Sequence, residues 1–238
     1  MTTAPLPTRL APYLDGEAPL MQLAARFAGA GHSLYLVGGW LRDAVAGREL
    51  AQHDIDLATD ARPDEIESVL DGWAEHLWLQ GRRFGTIGAM HAGVTFEVTT
   101  FRGDVYRPES RKPEVVFGDD IETDLSRRDF TVNAMALALP NLDFVDPFDG
   151  LADLAARRLR TPLAVEVSFL DDPLRMLRAA RFASSLELEP DPDVVEAMAH
   201  HRARLEIVSA ERIRDELSKL LVAPDPQAGL WLLARTRL

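Results

Sequence analysis

The segment from Ser33 to Thr59, "SLYLVGGWLRDAVAGRELAQHDIDLAT", sets the tightest limit on what this chain can fold into. A short apolar run stops at a glycine pair, Gly38 and Gly39. "WLRDAVAGR" then reads as a helix or helical turn, and "HDIDLAT" returns to the alternation of a strand. Strand, glycine turn, helix and strand in that order predict an α/β unit. Positions two apart on a strand share a face, so Asp54 and Asp56 are expected to project together while Ile55 and Leu57 face the core. Two neighbouring carboxylates repel each other, and a cation relieves them. All-oxygen ligands favour Mg²⁺, which binds through one or two carboxylates plus a substrate's phosphates. The glycine pair lets backbone N–H groups approach a phosphate, a helix starting there adds a favourable dipole, and Arg42, one turn in, reaches the same anion. Either feature alone is an ordinary solvated turn or strand end; the combination is selective.

The rest of the chain divides by pattern. "PLMQLAARFAGAG" predicts a first helix, and "RPDEIESVLDGW" another, opened by Pro63 and acids. "TIGAMHA" and "VTFEVTTFR" predict two strands joined as a hairpin near "HAGV". Residues 103–120, polar and proline-bearing, predict a loop. "DLSRRDFTVNAMALAL" resumes helical periodicity, so "RRDFT" is expected at a helix start, and "LDFVDPFDG" closes the unit with a strand and turn. After Gly150 the patterns are helical: "GLADLAARRLR", "PLRMLRAARFASSLEL", "PDVVEAMAHHRAR" and "SAERIRDELSKLLV". A boundary near 150 therefore separates an α/β domain, 1–150, from an all-α domain, 151–238. The closing "PDPQAGLWLLARTRL" is apolar and periodic, and a helix with an exposed Leu and Trp stripe needs a partner surface. Trp40, Trp73, Trp78 and Trp231 are expected to fill packing gaps.

Composition narrows the function classes. A net charge of −12, from 38 acids against 26 bases, argues against indiscriminate phosphate binding. The bases are mostly Arg and gather at Arg82–Arg83, Arg102–Lys112, Arg127–Arg128 and Arg175–Arg181, so local phosphate or base-edge sites remain open on an acidic body. Cysteine is absent, which excludes disulfides and thiolate metal sites. No apolar run approaches a membrane span, and the N-terminal stretch lacks a basic start and apolar core, so the expectation is a cytoplasmic protein with no membrane partner.

Five blocks in one order resemble the bacterial, class II tRNA nucleotidyltransferases and their poly(A) polymerase relatives: "LVGGWLRDAVAGRELAQHDIDLATDARPDEI", "GRRFGTIGAMHAGVTFEVTTFR", "DLSRRDFTVNAMAL", "DPFDGLADL" and "DDPLRMLRAARFAS". The resemblance implies an α/β (α+β) polymerase-β-like nucleotidyltransferase head followed by an all-α neck, with further body and tail regions that this chain stops short of. It implies nucleotide binding at Gly38, Gly39 and Arg42, metal binding at Asp54 and Asp56, and Glu97 as a third carboxylate, ligand or general base. A salt bridge from Glu97 to Arg102 or Arg107 explains that residue equally well. The resemblance also points Arg127 and Arg128 at nucleotide, Arg128 being the better match, since adjacent helical residues diverge by ~100° and one of the two is then structural.

Asp172, Arg175, Arg178 and Arg181 follow at intervals of three, and the resemblance implies that Asp172 with Arg175 chooses the base. Asp172 and Arg175 together offer acceptors and a donor fork, the complement of a Watson–Crick edge, while an Asp before Pro173 also makes a good helix cap. Arg178 supports Arg175 or reaches phosphate, and Arg181, on the far side, meets RNA phosphate or an acid of the head. The implied activity is CCA addition to the tRNA 3′ end from CTP and ATP with Mg²⁺. An A-adding, CC-adding or poly(A) enzyme shares the same motifs, and a non-catalytic tRNA-binding module is the rival of another class.

Overall fold

The computed structural model describes residues 8–50, 55–104, 115–118 and 120–238. Asp54, Arg107 and most of the expected 103–120 loop lie outside the described residues. The chain divides into two compact units, Met1–Ser126 with Asn133–Pro147, and Arg127–Val132 with Phe148–Leu238.

The first unit opens with α1 (Pro19–Gly29), started by its own proline and burying Leu20, Leu23, Ala24 and Phe27 at helical spacing. β1 (Leu34–Val37) runs into α2 (Gly38–Val45) through Gly38, whose φ of 77° lies in the left-handed region that glycine adopts without strain. β2 (Ile55–Thr59) and α3 (Pro63–Leu70) follow, and the Glu65 carboxylate accepts the Arg62 backbone N–H at 2.7 Å to close the start of α3. Then come β3 (His76–Trp78), β4 (Thr86–His91) and β5 (Val94–Thr100). The β4–β5 hairpin turns on Ala92 and Gly93, both at positive φ (50° and 76°), the signature of a turn that matches strand twist.

β6 (Arg102–Asp104) pairs with β7 (Val115–Phe117), so the ends of the expected loop are strands in a two-stranded ladder. After α4 (Ile121–Ser126) the expected long helix does not continue. "MALAL" forms β8 (Ala136–Leu139), paired along its length with β1, and β9 (Phe144–Val145) pairs with β8. Ala, Met and Leu favour helix intrinsically, but a position between two strands decides otherwise; tertiary pairing overrides propensity here. The resulting sheet has the order β3-β4-β5-β2-β1-β8-β9. Its neighbours are antiparallel except β2 and β5, which run parallel.

The second unit is mainly helical: α5 (Gly150–Ala155), α6 (Val165–Asp171), α7 (Leu174–Ser185), α8 (Pro192–His201), α9 (Ala210–Leu221) and α10 (Pro226–Thr236). α5 is shorter than the "GLADLAARRLR" pattern suggests, because Arg158–Leu159 (β10) leaves the helix to pair in parallel with Glu189–Pro190 (β11). α7 is the central element, burying Leu174, Met176, Leu177, Ala179, Ala180, Phe182 and Ala183. Phe130, from the Arg127–Val132 segment, meets Phe182 edge to face at 5.7 Å between ring centres. Trp231 on α10 is 67% exposed, contrary to its expected packing role, and Leu221 and Val222 are exposed too.

α10 approaches α7 closely at Gly229, whose backbone N–H donates to Ser184 Oγ at 2.8 Å. A Cβ at this position would lie 2.3 Å from the Ala180 carbonyl oxygen and 2.5 Å from Leu220 Cδ1. Gly229→Val is therefore expected to destabilise the helical unit by about 1–3 kcal/mol through overpacking. Urea unfolding followed by circular dichroism measures it, and Ala228→Val, one residue away, serves as the control.

Candidate active site

In the first unit β1 and β2 are antiparallel with Leu36 opposite Leu57, which brings the end of β1 beside the start of β2. The Gly38 turn and Asp56 accordingly lie at the same end of the sheet. Ile55 and Leu57 are buried, as the strand alternation predicts, and Asp56 between them is half-buried. Asp56 is the register partner of Glu97 on β5. Side chains in register on neighbouring strands share a face about 4.8 Å apart, so these two carboxylates are neighbours. Glu97 is exposed and, among the described residues, makes no ion pair. Arg102, one expected partner, instead directs Nη2 to Thr86 Oγ1 at 3.4 Å.

Gly39 lies under the Arg42 guanidinium: a Cβ there would sit 3.3 Å from Nη2. Arg42 is 8% exposed. Its Nε and Nη2 donate to the two oxygens of Asp43, both at 2.9 Å, and Nη1 donates to Asn133 Oδ1 at 2.6 Å. Neither Asp43 nor Asn133 stands out in the sequence as a partner, because one is a helical neighbour and the other lies 91 residues away.

The "RRDF" stretch is a turn leading into a short 3-10 helix, Thr131–Asn133, so Arg127 and Arg128 are not on a helix and the helical divergence argued for them does not apply. Both are half-buried. The stretch is tied to its own unit by polar contacts. Arg178 Nη2 meets Asp129 Oδ2 at 2.6 Å, and the Arg175 Nη2 group donates to the Arg127 carbonyl. The Thr131 backbone N–H donates to the Arg160 carbonyl at 2.9 Å, and its hydroxyl donates to the buried Asp153 at 2.7 Å. Asp129 is thus an ion-pair partner for Arg178.

Asp172 does cap a helix: its Oδ1 accepts the Leu174 backbone N–H at 3.1 Å, and its Oδ2 pairs with Arg212 at 2.9 Å. Arg175 Nη1 donates to Ser168 Oγ at 2.7 Å. Burial pulls the Arg175 guanidinium below its ordinary pKa, while Asp129, Asp172 and Asp171 act in the opposite direction. Arg181 is paired within its own unit. Its Nε donates to Glu216 on α9 at 2.7 Å, and its guanidinium lies 4.1 Å from the Phe182 ring centre.

Two family models match the chain. The poly A polymerase head domain model covers residues 34–160, and the model described as "Probable RNA and SrmB- binding site of polymerase A" covers residues 187–238. The chain belongs to the class II tRNA nucleotidyltransferase and poly(A) polymerase family. It is 40% identical over 210 residues to the CCA-adding enzyme of Levilactobacillus brevis, a match covering 88% of this chain and 51% of that protein. The crystal structure of the Bacillus stearothermophilus CCA-adding enzyme in complex with CTP is similar with a TM-score of 0.81 at 34% identity, over 90% of this chain and 50% of that one. The Thermotoga maritima CCA-adding enzyme complexed with tRNA matches at a TM-score of 0.75 and 25% identity, over 96% and 54% respectively. The chain spans about half the length of the curated relatives it matches. Its fold is the polymerase-β-like head with a helical region after it. Among the described residues, no helix is long and apolar enough to cross a membrane.

The Arg181–Glu216 pair is the clearest structural ion pair of these positions, with Glu216 only 6% exposed. Glu216→Ala leaves a largely buried guanidinium without its carboxylate and is expected to cost about 3 kcal/mol of stability. Urea unfolding followed by circular dichroism measures the loss.

Proposed function

We propose that this chain carries the nucleotidyl-transfer machinery of a CCA-adding enzyme, joining C and A from CTP and ATP to the tRNA 3′ end in the cytoplasm. The observation that carries this reading is the register of Asp56 with Glu97 beside the glycine turn, within a head matching the family model. The family employs divalent metal, and hard carboxylate oxygens side by side suit Mg²⁺, held by Asp54 and Asp56. When bound, that ion supplies charge neutralisation at the phosphates and eases deprotonation of the attacking hydroxyl.

The remaining work falls to the chain's own groups. Backbone N–H groups at Gly38 and Gly39 orient the triphosphate, and the start of α2 has no side-chain cap competing for them. Arg42 contributes positive charge from a fork held rigid by Asp43 and Asn133. Glu97 accepts the proton of the acceptor 3′-hydroxyl or steadies the second ligand position. Asp172 and Arg175 read the base. Each Asp172 oxygen already accepts one bond and keeps a lone pair for the exocyclic amine of cytosine or adenine, which guanine and uracil do not offer at that place. Arg178 steadies the turn carrying Arg127 and Arg128 through Asp129, and those two are candidates for further nucleotide contact.

Extension of tRNAs ending before the first C, before the second C and before the A, each nucleotide offered separately, tests the activity and separates CCA addition from A-only, CC-only and poly(A) chemistry. Asp56→Ala is expected to abolish incorporation while leaving the circular dichroism spectrum and thermal midpoint near wild type. Full incorporation by that variant would overturn the mechanism, and no incorporation by wild type would favour a binding module. Asp172→Ala is expected to lower CTP over UTP selectivity by roughly 5- to 150-fold, the range for losing one base-edge contact. Unchanged selectivity would remove Asp172 from base reading.

A further inference from the structure

The row of residues crossing the sheet at the level of Asp56 does not end at Glu97. Gly88 is the register partner of Glu97 on β4, and Trp78 is the partner of Gly88 on β3. Asp56, Glu97, Gly88 and Trp78 therefore lie on one face of the sheet, each about 4.8 Å from the next. Gly88 has no side chain, and the indole of Trp78 leans into that space. A Cβ on Gly88 would lie 3.1 Å from Trp78 Cε3 and 3.4 Å from Trp78 Cβ. β3 is the sheet edge, and Trp78 is 40% exposed. The other tryptophans of this unit are seated differently: Trp40 is buried against Tyr13, and Trp73 stacks on His91.

The two ends of the row face different chemistry. Beyond Asp56 lies the end of β1 with its glycine turn; beyond Glu97 lies an open aromatic surface. In an in-line displacement the attacking and leaving oxygens occupy opposite sides of the phosphorus. With the triphosphate held at the glycine turn, the reading on which this inference rests, pyrophosphate leaves toward β1. The attacking 3′-hydroxyl then approaches from the β5 side, where Trp78 waits.

We propose that Trp78 is the stacking platform for the 3′-terminal base of the acceptor RNA, with Gly88 clearing the space that lets the indole lie against the sheet. Every base has a π-face, so a stacking surface holds successive terminal bases without choosing among them. An RNA end whose last residue changes with every addition requires that tolerance. Base choice then rests with Asp172 and Arg175, while Trp78 sets only where the growing end sits.

The test uses the 238-residue chain and fluorescein-labelled acceptor minihelices whose 3′-terminal nucleotide is either intact or abasic. Anisotropy titrations give affinities, and steady-state extension gives KM for RNA and for CTP. Wild type is expected to bind the intact end between about 5- and 150-fold more tightly than the abasic end. Trp78→Ala should erase that difference and raise KM for RNA while KM for CTP stays unchanged, and Trp78→Phe should restore most of it. The proposal is overturned if Trp78→Ala still discriminates against the abasic end. It is equally overturned if the variant loses affinity for both RNAs alike, the pattern of a packing or protein-docking role. Extension by wild type without end discrimination sinks the stacking site alone. End discrimination without any extension supports the platform and sinks the proposed activity.

Discussion

The parallel pairing of β2 with β5 is the contact on which the head depends. It alone brings Asp56 and Glu97 to one level of one face, although they stand far apart in the chain. The antiparallel pairing of β1 with β2 adds the second condition by returning the glycine turn to the same edge of that face. Gly38 then has to leave β1 with a positive φ for α2 to start there, and any side chain at that position would strain the exit. Three backbone facts, two registers and one dihedral, thus bring one carboxylate pair and the start of α2 to the same end of the sheet. The helices behind the sheet supply the apolar burial that makes those registers rigid, through residues such as Phe27, Ile66 and Leu70.

The helical unit solves a different problem, which is to hold many arginines in place on an acidic body. It does so by giving the guanidinium groups defined oxygen partners. Arg175 is bound by Ser168 and the Arg127 carbonyl, Arg178 by Asp129, Arg181 by Glu216, and Arg160 by Asp153. Buried acids such as Asp129, Asp153 and Glu216 are expensive to desolvate unless paired, so each pair fixes geometry more than it adds stability. Arg181 meets Glu216 on α9, an acid of the same unit.

Much of the head was legible from pattern. The strand–glycine–helix–strand order, the burial of Ile55 and Leu57 around Asp56, and the β4–β5 hairpin all appear where alternation and turn residues place them. What pattern could not show was pairing. "MALAL" is as good a helix as a strand until β1 is known to lie beside it, and the ends of the 103–120 segment are strands only because they meet each other. α6 escaped notice because "VEVSFLD" is short and β-branched. At the candidate site, residue types were readable but partners were not: Asn133 for Arg42, Asp129 for Arg178 and Arg212 for Asp172 are long-range choices made by the fold. Trp78 and Trp231 look identical to buried tryptophans in a one-dimensional reading, and only solvent exposure tells them apart.

The long separation between β2 and β5 also has a kinetic meaning. Parallel neighbours require a crossover, and such non-local pairings form late because loop closure must be paid before any contact is gained. The hairpin of β4 and β5 can assemble by itself, carrying Glu97 but no aspartate. A nascent or half-folded head accordingly lacks the Asp56–Glu97 pair until the sheet has closed.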